Sequence, residues 1–487
     1  MNIKTVGHNC IYNLSLVANL FFQNADDAQI TSVANRLGDT LYAHTKITYN
    51  NKTHSSVFSA FCKADEDFLL VKRLTNVVCG MSLFLCARKF RRKILPWGTV
   101  TGIRPSKQIR TLLEEGKTDK EIFEYFKTFY AVSDKKLNLA LEVAKNEEEI
   151  IKTNKPDEIS LYVGIPFCPS RCLYCSFVST DLSHSEKYLK PYIECLLKEI
   201  AHSASLLKKT PFKIKNLYFG GGTPTSVSAK QLEIIFAALY KYMDLSDLKE
   251  FCVEAGRPDT IDEQKLDVMK TFGVNRISIN PQSMNDKTLK LIGRFHTSAQ
   301  IKNAFELSRK KGFSNINADV IAALPGETLD DFCHTLGEIE KYSPENITVH
   351  TMSIKRGSAL HQSLSKYNLT DRKTAEMMLD YSFEFMKNTN RVPYYMYRQK
   401  NMMGNLENVG YSKPGCFSRY NINIMEEVQS ILALGGGGSS KAVSKDMQRI
   451  ERVFNFKSPI EYIRRFDEIL KKKDEFFDLL EKLGTLK

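Results

Sequence analysis

The chain has 487 residues, enough for roughly two to four domains. With 43% hydrophobic and 26% charged residues it has the composition of an ordinary soluble globular protein. Its net charge of +13 favours anionic partners, and nucleic acid, an acidic electron-transfer protein and a polycarboxylate all fit that charge. The first residues offer one lysine and an apolar run broken by Asn13 and Asn19, which excludes a signal peptide and a membrane span there. Eleven cysteines without an export signal then predict reduced thiols and a cytoplasmic location.

Residues 1–155 read as an α+β accessory domain. Extended segments at Leu41–Tyr49 and Ser55–Lys63 flank a turn at Asn50, Asn51 and Lys52 and predict a hairpin. From Asp65 to Phe90 the pattern is helical, with Phe68, Val71, Leu74, Val78 and Leu83 on one face. A basic run follows, in which Arg88, Lys89, Arg91, Arg92, Lys93, Arg104, Lys107 and Arg110 occur without an acid. It reads as a solvated face, an RNA patch or a clamp for carboxylates. An RNA patch calls for interleaved aromatic rings, and only Phe90 and Trp97 are at hand, so nucleic acid is not the favoured partner.

From Ile159 onward strands and helices alternate. Strands are expected at Ser160–Ile165, Asn216–Phe219, Phe251–Ala255, Arg276–Asn280, Asn317–Ala322 and Ile347–Met352, with helices such as Glu186–Leu207, Ala229–Met243 and Asp330–Lys341 between them. This α/β alternation predicts a parallel sheet wrapped by helices, a partial (β/α)6 barrel of the TIM type over residues 156–358, with its chemistry at the C-terminal strand ends. Residues 359–487 are expected to form a mostly helical C-terminal region. Its segment PYYMYRQKNMMGNLENVGYSKPG reads as an irregular lid over a large flat ligand. The later LALGGGGSSK is not a phosphate loop, because Ser440 stands where G-x-x-x-x-G-K needs its second glycine.

Cys168, Cys172 and Cys175 form a C-x-x-x-C-x-x-C array directly after the first barrel strand. Three thiolates on one loop can converge on one inorganic centre. A disulfide does not suit reduced thiols, and structural zinc asks for a fourth ligand. A four-iron cluster held by three cysteines keeps one iron open, where something can bind and be reduced. Tyr162, Phe167 and Tyr174 flank the array. Further strand ends carry Gly220, Gly221, Gly222 and Thr223; Glu254 in VEAGRP, which could instead pair with Arg257; Gln282 with Arg294 twelve residues on; Asp319 and Ile321; and His350 with Ser353. His350 reads as a satisfied core histidine or as a proton donor.

The cysteine spacing resembles the radical S-adenosylmethionine (SAM) superfamily, and the other motifs extend that resemblance across about residues 159 to 441. It implies that Cys168, Cys172 and Cys175 hold a [4Fe–4S] cluster whose open iron is chelated by SAM. One electron then cleaves the cofactor to a 5′-deoxyadenosyl radical that abstracts hydrogen from substrate. It also implies a cofactor wall made by Tyr162, Tyr174, Gly221, Gly222, Thr223, Glu254, Gln282, Arg294, Asp319, Ile321 and Ser353. Gly221, Gly222 and Thr223 would meet the methionine amino group, Arg294 its carboxylate, and Glu254, Gln282 and Asp319 the ribose. Ile321 would pack on adenine.

YRQKNMMGNLENVGY, VEAGRPDTI and RISINPQSM, with the basic N-terminal domain, resemble more narrowly the HemZ-type branch of the oxygen-independent coproporphyrinogen III oxidases. That implies oxidative decarboxylation of two propionates of coproporphyrinogen III, a tetracarboxylate, with an acidic electron donor such as flavodoxin or ferredoxin. Arg356, Arg398, Lys400 and the basic run are the candidate carboxylate contacts. The sequence departs from the oxidases at Gly164, where they carry histidine, and at Phe177, where they carry a fourth cysteine. The haem-carrier relatives share the phenylalanine, although their HNxxYW-like element is not visible here. A haem carrier and a radical methyltransferase acting on a porphyrin are therefore the alternative readings.

Overall fold

The computed structural model describes residues 1–22, 27–102, 104–176, 180–355, 357–399, 402 and 405–485, apart from the side chains of Ser183 and His184. The chain divides into two compact units, Met1–Ala144 and Lys145–Lys487.

In the first unit β1 (Asn2–Val6), α1 (Ile11–Asn19), β2 (Gln29–Leu37), β3 (Thr40–Tyr49) and β4 (Lys52–Phe61) precede α2 (Phe68–Arg88). The strands form one sheet in the order β1-β2-β3-β4, with β1 parallel to β2 and the other pairs antiparallel. The predicted hairpin is β3–β4. Its turn is the pair Asn50–Asn51, both at positive φ (49° and 58°), the hand that matches the twist of the flanking strands. Alternation along β3 buries Leu41, Ala43, Thr45 and Ile47 on one face. Helix α2 packs there against β3 and β4, its N-terminus capped by the Asp67 carboxylate. Val78 and Leu83 are buried as expected, whereas Phe68, the first residue of α2, is exposed. Among the described residues α2 is the one helix long and apolar enough to cross a membrane. Its residues from Val77 to Ala87 belong largely to the core. Helices α3 (Pro105–Glu114), α4 (Asp119–Tyr130) and α5 (Asp134–Ile151) follow.

The second unit is organised on an 11-stranded sheet. Its strands are β5 (Glu158–Ile165), β8 (Lys213–Gly221), β9 (Glu250–Gly256), β10 (Arg276–Gln282), β11 (Ile316–Ala322) and β12 (Asn346–Thr351), then β13 (Val392–Tyr397), β14 (Asn408–Ser412), β15 (Ser430–Leu434), β16 (Ser439–Val443) and β17 (Ile450–Phe454). The short pair β6 (Phe167–Cys168) and β7 (Thr180–Asp181) lies apart from it. Helices α6 (Leu182–Leu207), α7 (Ala229–Tyr242), α8 (Glu263–Thr271), α9 (Asp286–Leu291), α10 (Ser298–Lys310) and α11 (Leu329–Glu340) occur between the strands. Strands β5, β8, β9, β10, β11 and β12 are neighbours in chain order and all parallel. The edges β13 and β17 do not meet, so this is an open, partial barrel.

The region after residue 358 differs from the mostly helical expectation. Besides α12 (Ala359–Gln362), α13 (Arg372–Asn388), α14 (Arg419–Glu426), α15 (Pro459–Arg464) and α16 (Phe466–Lys482), it supplies strands to both sides of the sheet. The segment read as an irregular lid is, in its described residues, largely the antiparallel pair β13–β14 on β12. Strand β15 pairs in parallel with β5 over Ser430–Leu434. Strands β14 and β15 are fully buried runs without alternation, which hides a strand from a period-two reading.

The glycines after β15 are held by a buried polar network. Glu199 of α6 accepts from the Gly435 N–H (2.7 Å), Asn455 (2.8 Å) and the Tyr462 hydroxyl, and pairs with Lys473 of α16 at 3.1 Å. Lys473 is 1% exposed, so its charge depends on Glu199. Removing one partner of such a pair costs about 3–5 kcal/mol. Glu199→Ala is therefore predicted to lower stability by about that amount, read from the urea midpoint, while the double change Glu199→Leu with Lys473→Met recovers part of it.

Candidate cluster and cofactor site

Alternation along the parallel strands builds the lumen. Successive inward positions are Tyr162 and Gly164 on β5, Tyr218 and Gly220 on β8, and Cys252, Glu254 and Gly256 on β9. They continue as Arg276, Ser278 and Asn280 on β10 and Asn317, Asp319 and Ile321 on β11. Most of these residues line one cavity of about 480 Å³. The residues expected to hold the cluster and the cofactor meet there: Tyr162, Cys168, Cys172, Tyr174, Cys175, Gly221, Gly222, Thr223, Glu254, Gln282, Arg294, Asp319, Ile321 and Ser353.

The cysteine loop leaves β5 at Pro166 and is pinned from three directions. Leu173 donates to Ile292 O and accepts from the Leu360 N–H, both at 2.9 Å. The buried Arg257 donates to Ser170 Oγ at 2.6 Å and clasps Asp259 through Nε and Nη2 at 3.0 and 2.9 Å. Arg257 thus pairs with Asp259 rather than with Glu254. Gly222 and Thr223 donate to Ile165 O and Phe167 O, both at 2.8 Å, drawing the β8 turn onto the loop. A Cβ on Gly222 would stand 2.5 Å from Phe167 O and 2.9 Å from Cys168 Sγ, so only glycine fits. Gly164 is confined too. A Cβ there would come within 2.8 Å of Gly436 O, so the backbone after β15 occupies the space that the oxidases' histidine side chain would need.

The opposite wall is polar. Gln282 adopts φ +68° at a register shift that ends β10, and its Oε1 is buried without a hydrogen-bond partner. Arg294 donates through Nη1 to Asn280 O at 2.6 Å, while its Nε is likewise buried without one. Asn317 donates to Asp319 Oδ1 at 2.7 Å, and His350 Nε2 stands 3.6 Å from Asp319 Oδ2. Burial works to raise the Asp319 carboxyl, but His350 and Asn317 hold it below the usual range. His350 Nδ1 lies 3.2 Å from the Tyr397 hydroxyl, so this histidine is a cavity-wall residue between Asp319 and Tyr397. Glu254 accepts from the Tyr218 hydroxyl at 2.6 Å, and Tyr218 stacks on Tyr420 with ring centroids 4.4 Å apart.

Tyr218, Arg257, Asn280, Lys355, Tyr397 and Tyr420 are cavity residues that motif reading missed. Polar side chains at every second place of an otherwise apolar parallel strand, as in Arg276-Ser278-Asn280, were the available signal. Of the expected carboxylate contacts, Arg398 is buried, donates to Asn405 O at 3.2 Å and does not line the cavity. Arg356 and Lys400, like Phe177, lie outside the described residues. In the basic run, Lys89, Arg91 and Lys93 donate to the carbonyls of Ser55, Phe21 and Leu20, and Arg110 pairs with Glu114.

A model of the radical SAM superfamily matches residues 162–339. The oxygen-independent coproporphyrinogen-III oxidase-like protein HemZ of Bacillus subtilis (strain 168) is 37% identical, over 96% of this chain and 95% of that one. The chain belongs to the HemZ family of radical SAM proteins. The haem chaperone HemW of Lactococcus lactis is 29% identical over 67% of this chain and 83% of its own. Among solved structures, the radical SAM coproporphyrinogen III oxidase HemN of Escherichia coli superposes with a TM-score of 0.53 at 21% identity, covering 67% of this chain and 73% of that one, a likeness of fold.

A radical SAM protein works with a [4Fe–4S] cluster and SAM. The cavity fits them. Three cysteine sulfurs share one wall, and the unpartnered Arg294 Nε and Gln282 Oε1 offer a donor and an acceptor to a zwitterionic, hydroxyl-bearing molecule.

Two outcomes follow. Gly222→Ala is predicted to displace the cysteine loop and lower iron and sulfide content after anaerobic reconstitution, with an unchanged far-UV circular dichroism spectrum. For Glu254, burial pushes the carboxyl up to about 7 from the ordinary 4.5, against the Tyr218 hydrogen bond. The unfolded chain releases this proton near the lower value and the folded chain near the higher one. Folding stability therefore falls as pH rises between them and is level above. Glu254→Gln is predicted to remove that part of the decline, about 3 kcal/mol, in urea midpoints compared at about pH 4 and about pH 8.

Proposed function

We propose that this HemZ-family protein carries out the oxygen-independent oxidative decarboxylation of coproporphyrinogen III to protoporphyrinogen IX. The observation that carries the reading is the convergence of the cysteine loop, the unpartnered Arg294 and Gln282 atoms and the Asp319–His350–Tyr397 chain on one cavity. The full-length relationship to an oxidase-like protein supports it. When bound, the cluster and SAM would supply a hydrogen-abstracting radical; each propionate would then lose one hydrogen atom to that radical, one carbon dioxide, and one electron to an external one-electron acceptor.

The chain's own residues position and shield. In this reading Cys168, Cys172 and Cys175 are the metal ligands. Gly221, Gly222, Thr223 and Arg294 receive the methionine end of SAM, Glu254, Gln282 and Asp319 its hydroxyls, and Ile321 its base, with Tyr162, Tyr174 and Ser353 completing the wall. Arg294 presents a fixed guanidinium suited to a carboxylate. Lys355, on the cavity wall, is the candidate contact for a substrate propionate, and its cationic head favours the ionised carboxylate that decarboxylation requires. An acidic flavodoxin or ferredoxin would deliver the electron, in the cytoplasm.

A haem carrier is the second reading, favoured by the likeness to HemW and by Phe177. Anaerobic incubation with coproporphyrinogen III, SAM and dithionite is expected to yield protoporphyrinogen IX and 5′-deoxyadenosine, and Cys172→Ala to abolish both. Tightly bound haem with no deoxyadenosine would assign the carrier role instead, and S-adenosylhomocysteine would point to methyl transfer.

A further inference from the structure

The N-terminal unit holds a second convergence of soft ligands, remote in sequence from the cysteine loop. His8 and Cys10 stand in the turn that leads from β1 into α1, in an H-x-C arrangement, and Cys79 lies midway along α2. One nitrogen of His8 and the sulfurs of Cys10 and Cys79 all lie within 4.8 Å of one another. Among the described residues this is the one such group of three. Cys10 is 6% exposed and Cys79 is 0% exposed.

The surroundings of His8 carry the argument from proximity to ligation. Its Nε2 stands 3.2 Å from Ser32 O, which can only accept, and 3.1 Å from Ser32 Oγ. With the proton on Nε2 donated to Ser32, the Nδ1 lone pair is available to a metal, the arrangement in which metal-bound histidines are normally held. Nδ1 now accepts the Cys10 N–H at a long 3.2 Å, a contact a metal ion would replace. Cys10 is the N-cap residue of α1 but makes no side-chain capping bond, so its sulfur has no such role to give up. Two thiolates and one neutral imidazole balance a divalent charge, which is what allows an ion to sit among buried residues.

We propose that His8, Cys10 and Cys79 supply three protein ligands to a thiophilic divalent cation, for which zinc is the probe. The ion ties the segment between β1 and α1 to the core helix α2, and it is independent of the [4Fe–4S] cluster.

The test uses the full-length chain with its cluster reconstituted. The protein is loaded with zinc sulfate, desalted, and titrated with the chromogenic chelator 4-(2-pyridylazo)resorcinol. The native chain and the control Cys333→Ser are expected to retain one zinc each, while His8→Ala and Cys79→Ser lose affinity by more than about 100-fold, beyond what loss of a supporting hydrogen bond costs. His8→Ala guards against misfolding, because the ring is only partly buried and the folded content is checked by circular dichroism. Cobalt(II) added to the Cys168→Ala, Cys172→Ala, Cys175→Ala variant is expected to give a thiolate-to-cobalt charge-transfer band that His8→Ala abolishes or shifts. Retention of no zinc by the native chain, equal retention by His8→Ala and Cys79→Ser, or a Cys10–Cys79 disulfide in the anaerobically purified protein would overturn the assignment.

Discussion

Close backbone approach at the ends of β5 and β8 is the constraint on which the site rests. Three thiolates can face one centre only if the loop carrying them is drawn inward, and the Gly222 and Thr223 amides draw it by bonding to Ile165 and Phe167 carbonyls. A side chain at position 222 would occupy the space of Cys168 and the loop backbone. The same crowding recurs at Gly164 with Gly436. The glycines are a requirement of distance before they are a requirement of flexibility.

Around that contact the protein arranges rigid supports of two kinds. Arg257 and Asp259 join the strand-end loop after β9 to the cysteine loop through charge-assisted bonds. On the other flank Tyr192 donates to Gly164 O at 2.6 Å and accepts from the Gly436 N–H at 2.8 Å, so one hydroxyl spans β5 and the turn after β15. The polar atoms of Gln282 and Arg294 are left over within this scaffold. Buried polar atoms without partners are costly in a finished core and sensible in a binding cavity.

Much of this was legible from sequence, and the reasons differ by element. The cysteine array, the GGGTP turn and the order of acidic and basic strand ends stood out because chemistry restricts residue type and spacing there. The hairpin at Asn50–Asn51 was legible because positive φ restricts turn residues. Strands β14 and β15 escaped because burial on both faces erases alternation, and their pairing depends on contacts far away in sequence. Arg398 was expected beside substrate from its charge alone, and its guanidinium instead donates to a neighbouring loop carbonyl. Type and spacing reveal a ligand set, whereas a lone cation says little about which way it points.

The pairing of β15 with β5 has a temporal consequence. The strand that delivers the cysteines has β8 on one side early in synthesis, but its other neighbour is Ser430–Leu434, made some 270 residues later. On the ribosome the cysteine strand therefore remains a one-sided edge until β15 has emerged, and the Gly436 backbone that closes on Gly164 follows directly after it. A pocket closed on both sides of the cysteine strand exists only once Ser430–Leu434 has docked on it.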